Sequence, residues 1–186
     1  MQPHVIVISG PGGVGKNTVA DDLIQTYPRE FVSVTKLTTR AIRPGETEGN
    51  EFNFLSPKEF KHRLAAHELL EFNIFNNNYY GVPKSPVDLA LTQGKSPILV
   101  IDVNGARATR RHYGTQAYLV FLTAPIDDLR RRYIARGQSE QEAAKRIQIA
   151  RHAELPEQRW YDLVLENPNG HVGEVIQTIA KKIHSL

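Results

Sequence analysis

The sequence predicts an α/β fold, a central parallel sheet covered by helices, and three observations carry that expectation. The β-branched run Val5-Ile6-Val7-Ile8-Ser9 shows no polar alternation, as a strand buried on both faces requires. The apolar runs Pro97 to Asp102 and Ala117 to Leu122 repeat the pattern. Between the runs lie segments with helical start and stop signals, and this strand-helix rhythm marks parallel strands joined by crossover helices.

Taken in order, the first strand meets a glycine-rich turn and a helix that continues through Thr18-Val19-Ala20-Asp21-Asp22-Leu23-Ile24 to end near Tyr27-Pro28. Phe31 to Thr35 alternates as a second strand. The rhythm then breaks. Thr38-Thr39-Arg40-Ala41-Ile42-Arg43-Pro44-Gly45 sets two arginines three apart before a Pro-Gly turn, and Phe52 to Leu55 is a short strand. Ser56-Pro57-Lys58-Glu59 joins an N-cap, a proline at the first helical position and a capping glutamate, opening a helix through about His67. Leu69 to Phe75 returns as a strand. Residues from about 38 to 83 therefore form an inserted α+β arm on a core of 1–37 and 84–186.

The rhythm resumes with a helix from Ser85 that stops at Gly94, the strand ending at Asp102, and a short helix from Gly105 to His112. After the Ala117 strand, Pro125-Ile126-Asp127-Asp128 begins a helix running to Arg136-Gly137, acidic in its first turn as the helix dipole favours. Ser139 and Glu142 form a second capping box, and the helix they start carries Arg146 and Arg151 before Pro156 interrupts or kinks it. Tyr161 to Leu165 is a last strand, and Val172 to Ile183 closes the chain as an amphipathic helix.

The chemistry centres on Gly10-Pro11-Gly12-Gly13-Val14-Gly15-Lys16-Asn17-Thr18. Gly12, Gly13 and Gly15 free the backbone to turn successive N–H groups into one concavity, and the following helix aims its positive dipole end there. With Lys16 placed to reach outer phosphates, this is the G-x-x-x-x-G-K spacing of a nucleotide triphosphate loop. The residue after the lysine is Asn17 where a magnesium-ligating hydroxyl is usual; its carbonyl oxygen serves a metal directly or through water. Asp102, at the carboxyl end of a buried strand, is expected to face the same crevice, the alternative being a helix cap.

Composition sets outer limits. The 186 residues are 40% hydrophobic and 23% charged with a formal charge of +3, ordinary for one globular domain. There is no cysteine, hence no disulfide framework or thiolate metal site, which suits the cytosol. The chain opens directly on a strand and no apolar run reaches membrane-spanning length, so a cytoplasmic protein without a membrane partner is expected. The basic residues cluster in the arm and the 132–146 flap rather than along one aromatic-studded stripe, which argues against nucleic acid.

With these residues in hand, the chain resembles the guanylate kinase family from about Val5 to Asn167. The segments that match are GPGGVGKNT, TTRAIRPGE, LLEFNIFNNNYYGVP, ILVIDVNG, and LRRRYIARG with AAKRI, in the family's order. The resemblance implies a P-loop NTPase three-layer fold with an acceptor-binding arm and a helical lid of about 132–146. It also implies phosphorylation of GMP by ATP with Mg2+. By the same resemblance Arg40, Arg43 and Tyr80 hold the acceptor's monophosphate, Glu71 and Asp102 contact guanine, and Arg132, Arg136 and Arg146 close on the ATP phosphates beside Lys16. These residue types suit such contacts, since a guanidinium fork grips phosphate bidentately and a carboxylate rewards guanine's amino donor.

Four positions depart from the family pattern. They are Asn17, Phe52 in place of a phosphate-contacting tyrosine, Val82 in place of a hydroxyl residue that helps read the base, and Val100 in place of an aspartate. An extra residue between Ser33 and Arg40 leaves the family's guanine-touching serine unassigned. Asn17 and Val82, with Val103-Asn104-Gly105, point to an alternative, a sugar-phosphate kinase resembling the ribose 1,5-bisphosphate phosphokinases; Glu71 with Asp102 points to guanine. A protein-binding module of the same fold is disfavoured by the intact loop and Lys16.

Overall fold

The computed structural model describes residues 2–186. In chain order it contains β1 (Val5–Ser9), α1 (Lys16–Thr26), β2 (Phe31–Ser33), β3 (Lys36–Thr38), β4 (Phe52–Phe54), α2 (Pro57–Ala65), β5 (Leu69–Phe75) and β6 (Asn78–Pro83). It continues with α3 (Lys84–Thr92), β7 (Ser96–Val100), α4 (Val103–Tyr113), β8 (Ala117–Thr123), α5 (Ile126–Ala135), α6 (Glu140–Ile149), β9 (Leu163–Glu166) and α7 (Val172–His184). Five strands form one parallel sheet in the order β2-β7-β1-β8-β9.

Both faces of that sheet are covered, which is why β1 lacks alternation. All five residues of β1 are buried, with Ile6 and Ile8 packing toward α1, α5 and α7, and Val5 and Val7 toward α3 and α4. Three layers result. Full burial of each such side chain stabilises the fold by roughly 1.5–3 kcal/mol.

The arm carries its own four-stranded sheet, β4-β3-β6-β5, and a small core of Leu37, Phe60 and Leu69. Both capping boxes form, Ser56 with Glu59 and Ser139 with Glu142. The helix expected through His67 stops at Ala65, because His67 adopts φ +56° and the chain turns into β5. Two arm strands differ from the sequence reading. The strand expected over Phe31 to Thr35 stops at Ser33 in the main sheet, and Lys36–Thr38, not expected as a strand, joins the arm's sheet. Asn78–Pro83 is a strand that the sequence pattern does not predict; it pairs antiparallel with β5 across an Asn76-Asn77 turn whose two residues are both left-handed. After α6 the chain does not simply kink at Pro156. It widens into a π-helical turn, Ala150–Glu154, and then tightens into a 3₁₀ segment, Leu155–Trp160.

Candidate active site

The glycine loop joins β1 to α1 at the carboxyl ends of the parallel strands, where the sheet leaves a crevice. Gly10, Gly13 and Gly15 have φ of +136°, +76° and +97°. Gly10 is the least replaceable, since a Cβ there would sit 2.2 Å from the carbonyl oxygen of Leu122. Gly10→Ala is therefore expected to destabilise the fold by about 3 kcal/mol or more, read as a lowered urea midpoint; an unchanged midpoint would contradict this packing.

Lys16 folds back over the loop, its Nζ donating to the carbonyl oxygens of Gly10 at 2.7 Å and Pro11 at 3.0 Å. Burial lowers its pKa from the usual lysine value, and the Glu154 carboxylate opposes that shift. Asn17 and Thr18 are exposed on the first turn of α1.

Three side chains brace the loop from behind. The Tyr133 hydroxyl donates to Gly12 O at 2.7 Å, and Asn167 Nδ2 donates to Val14 O at 2.8 Å. Arg132 donates to the carbonyls of Gly13, Val14 and Asn167 and to Asn169 Oδ1. The resemblance groups Arg132 with Arg136 and Arg146 as one phosphate-closing set, but the geometry separates them. Arg132 is engaged on loop carbonyls, whereas Arg136 and Arg146 are exposed and bear electrostatically on Lys16 and on Glu154 respectively. The adjacent Arg130 and Arg131 pair with Glu140 and Asp128 on the outer helix face.

A second pocket of about 170 Å³ opens between the arm and the sheet, lined by Lys36, Phe52, Glu71, Asn73, Tyr80 and Asp102 among others. Asp102 also lines the pocket over Ser9 and Gly10, so its carboxylate stands between the two sites. Both roles weighed for it from sequence are present. Its Oδ1 caps α4 by accepting from Gly105 N at 2.9 Å, and its Oδ2 accepts from Asn73 Nδ2 at 2.7 Å. The Glu71 carboxyl lies against Gly105, where an added Cβ would come within 3.3 Å. Burial, then the nearby charge of Asp102, push its pKa up to about 7, with Lys36 pulling the other way.

Arg40 packs against Phe52, which lines this pocket. Its side chain is 9% exposed and its guanidinium lies 5.1 Å from the Phe52 ring centroid and 5.2 Å from that of Phe54. Both terminal nitrogens donate to Glu46 at 2.6 Å, and the Arg43 amide donates to the same carboxylate at 2.9 Å. That holds the Glu46 carboxyl down at about 2. The Arg43 side chain stands exposed nearby. Tyr79 and Tyr80 separate as alternate strand residues do, Tyr79 onto Phe60 in the arm's core and Tyr80 into the pocket. Val82 is wholly buried among core residues, outside the pocket lining.

Sequence reasoning missed Glu154, Tyr133, Asn167 and Asn73 as parts of the site. Nothing in the spacing of Tyr133 or Asn167 announces a bond to a loop more than 100 residues away.

The chain as a whole has counterparts among known proteins. The sequence model of the guanylate kinase family matches residues 2–186. A guanylate kinase of Thermobifida fusca is 41% identical over 169 residues, covering 90% of this chain and 85% of the relative. One from Lactobacillus johnsonii is 34% identical over 185 residues, covering 98% and 90%. The crystal structure of guanylate kinase from Anaplasma phagocytophilum superposes with a TM-score of 0.76 at 27% identity, over 98% of this chain and 85% of that one. No helix of the described residues is long and apolar enough to cross a membrane. With a glycine loop and an arginine-bearing arm meeting at Asp102, and a match that runs the whole described length, this chain belongs to the guanylate kinase family.

Proposed function

We propose that this chain transfers the γ-phosphoryl group of ATP to GMP, giving ADP and GDP. The observation that carries the reading is the sharing of Asp102 by the pocket over the glycine loop and the pocket containing Glu71, which brings donor and acceptor sites to one crevice. In the transfer the bond between the γ-phosphorus and its bridging oxygen breaks, and a GMP phosphate oxygen takes its place at phosphorus. No side-chain nucleophile is needed, so positioning and charge stabilisation do the catalysis.

In this reading the amides of Gly10 to Thr18 and the Lys16 ammonium hold the ATP phosphates, with Arg136 and Arg146 closing over them. Arg132, engaged on carbonyls, keeps the loop in shape. Arg40, Arg43 and Tyr80 hold the GMP phosphate, while Glu71 and Asp102 read the base. Core, arm (38–83) and lid (about 132–146) act as three bodies, the arm and the Arg136-Gly137 flap closing to exclude water. The two carboxylates in one small pocket match the N1–H and amino donors that guanine presents side by side.

Mg2+ fits the donor set. Asn17 offers an exposed neutral oxygen beside Lys16, and among the described residues no three carboxylate or imidazole groups converge into a cage. That suits a hard cation held mainly by substrate phosphates and water, with Asn17 Oδ1 as the protein-side ligand directly or through water. Bound there, it would neutralise charge on the phosphates.

Steady-state assays with ATP and a panel of GMP, AMP, CMP, UMP and ribose 1-phosphate test the reading. GDP formation with GMP preferred at least about a hundredfold is expected; turnover confined to the sugar phosphate would overturn it.

A pH dependence follows from Glu71. Its ionised form accepts the guanine donors, so kcat/KM for GMP should rise about tenfold per unit up to about pH 7 and then level off. Stability runs the other way. Because the folded pKa lies above the unfolded value, the folded protein retains a proton there that the unfolded chain has lost, and stability falls as pH rises from the ordinary carboxylate range through about 7. Melting temperatures of wild type and Glu71→Gln between pH 4.5 and 8 check this, the variant losing that slope; equal slopes would contradict it.

A further inference from the structure

Resting on the reading of the arm pocket as a GMP site, we infer that Lys36 is a specificity-determining residue that donates to the O6 edge of guanine. Lys36 opens β3, where the chain leaves the main sheet for the arm, and its side chain is 21% exposed. It is the one lysine or arginine lining the acceptor pocket among the described residues, together with Glu71 and Asp102. Its Nζ sits 4.8 Å from the Phe52 ring centroid and 3.3 Å from Glu51 Oε1. Glu51 is half exposed and uses one of the ammonium's three protons, leaving two for a ligand.

The complementarity is that of the base itself. Guanine presents two ring-side donors, N1–H and the N2 amino group, next to one acceptor, O6. Glu71 is an acceptor suited to the donors, so O6 needs a donor beside it. Asn73 spends one of its two amide protons on Asp102, Tyr80 is assigned to the phosphate, and Val82 is buried in the core without a hydroxyl, so Lys36 is the cationic donor on the pocket that suits O6. Adenine offers an amino group where guanine has O6. Against an ammonium that is donor facing donor, so the same contact that attracts guanine rejects adenine.

The test compares GMP with 6-thio-GMP, which keeps N1–H and the amino group but replaces O6 with a weak acceptor, in wild type, Lys36→Met and Glu51→Gln. Wild type should prefer GMP in kcat/KM by about tenfold or more, the worth of a charge-assisted hydrogen bond. In Lys36→Met the KM for GMP should rise by about tenfold with kcat little changed, and the preference over the thio analogue should shrink to about twofold or less. Glu51→Gln, which removes only the exposed ion pair, should keep the wild-type preference. The assignment is overturned if Lys36→Met keeps the preference, or if Glu51→Gln loses it equally. Failure of the wild type to make GDP would reject the kinase reading itself, whereas GDP formation with an unchanged preference in Lys36→Met rejects this assignment alone. Should Lys36→Met fold poorly, Lys36→Arg keeps a donor cation and should retain the preference, and its loss there would equally count against the role.

Discussion

Replacing Lys16 by alanine is expected to lower kcat by about a thousandfold or more, equivalent to roughly 4 kcal/mol of lost charge stabilisation. The Lys16 ammonium is seated on the carbonyls of Gly10 and Pro11, at 2.7 and 3.0 Å, and burial already disfavours its charge. An arriving polyphosphate relieves that cost, and charge building on the transferring group makes the relief larger. The fold should survive, because Tyr133, Asn167 and Arg132 hold the carbonyls of Gly12, Gly13 and Val14 without help from Lys16. Turnover and a thermal melt measured on one preparation check both halves. Near-normal kcat would contradict the proposed role of the ammonium.

Arg40→Met is expected to weaken GMP binding by about a hundredfold or more while leaving ATP binding nearly unchanged. The lost group is a nearly buried guanidinium seated against two neighbouring phenylalanine rings, and removing one partner of a desolvated charge-assisted pair costs about 2–5 kcal/mol. Glu46 accepts from both terminal nitrogens of Arg40, meeting the fork as a phosphate would. Arg40→Lys keeps the charge without the fork and should recover only part of the affinity. Calorimetric titrations with GMP and with ATP separate the two sites; equal losses for both nucleotides would mean that the arm and the loop are not independent grips.

Much of the core was legible because its signals are local. The buried run at Val5, the two capping boxes and the terminal amphipathic helix each depend on residues within one turn or one strand, and each appears where expected. The arm was less legible. Lys36–Thr38 is three residues long, and its partners lie 16 or more positions away, so only tertiary pairing makes it a strand. Asn78–Pro83 contains a glycine and a proline that weaken any strand pattern, yet pairing with Leu69–Phe75 overrides them.

The site shows the same division. Residues whose chemistry is fixed by their own motif, such as the loop glycines and Lys16, could be named from spacing. Glu154 could not, because it lies at the end of the widened turn at Ala150–Glu154 and bears on Lys16 only electrostatically. Nor could the separation of Arg132 from Arg136 and Arg146, which share a basic stretch in sequence but diverge once α5 crosses the back of the loop. Val82 teaches the converse. A substitution that reads as a lost base contact is, in the fold, a core residue among Val5, Val7 and Leu99.

The central claim is that the phosphate grip at Lys16 and the phosphate grip at Arg40 face each other closely enough for one phosphoryl group to pass between them. Calorimetry with adenosine and guanosine joined through five phosphates measures this directly. One molecule should bind per chain, about a hundredfold or more tighter than ATP or GMP alone, with Lys16→Ala and Arg40→Met each weakening it. Binding no tighter than ATP alone, or unaffected by Arg40→Met, would contradict the arrangement.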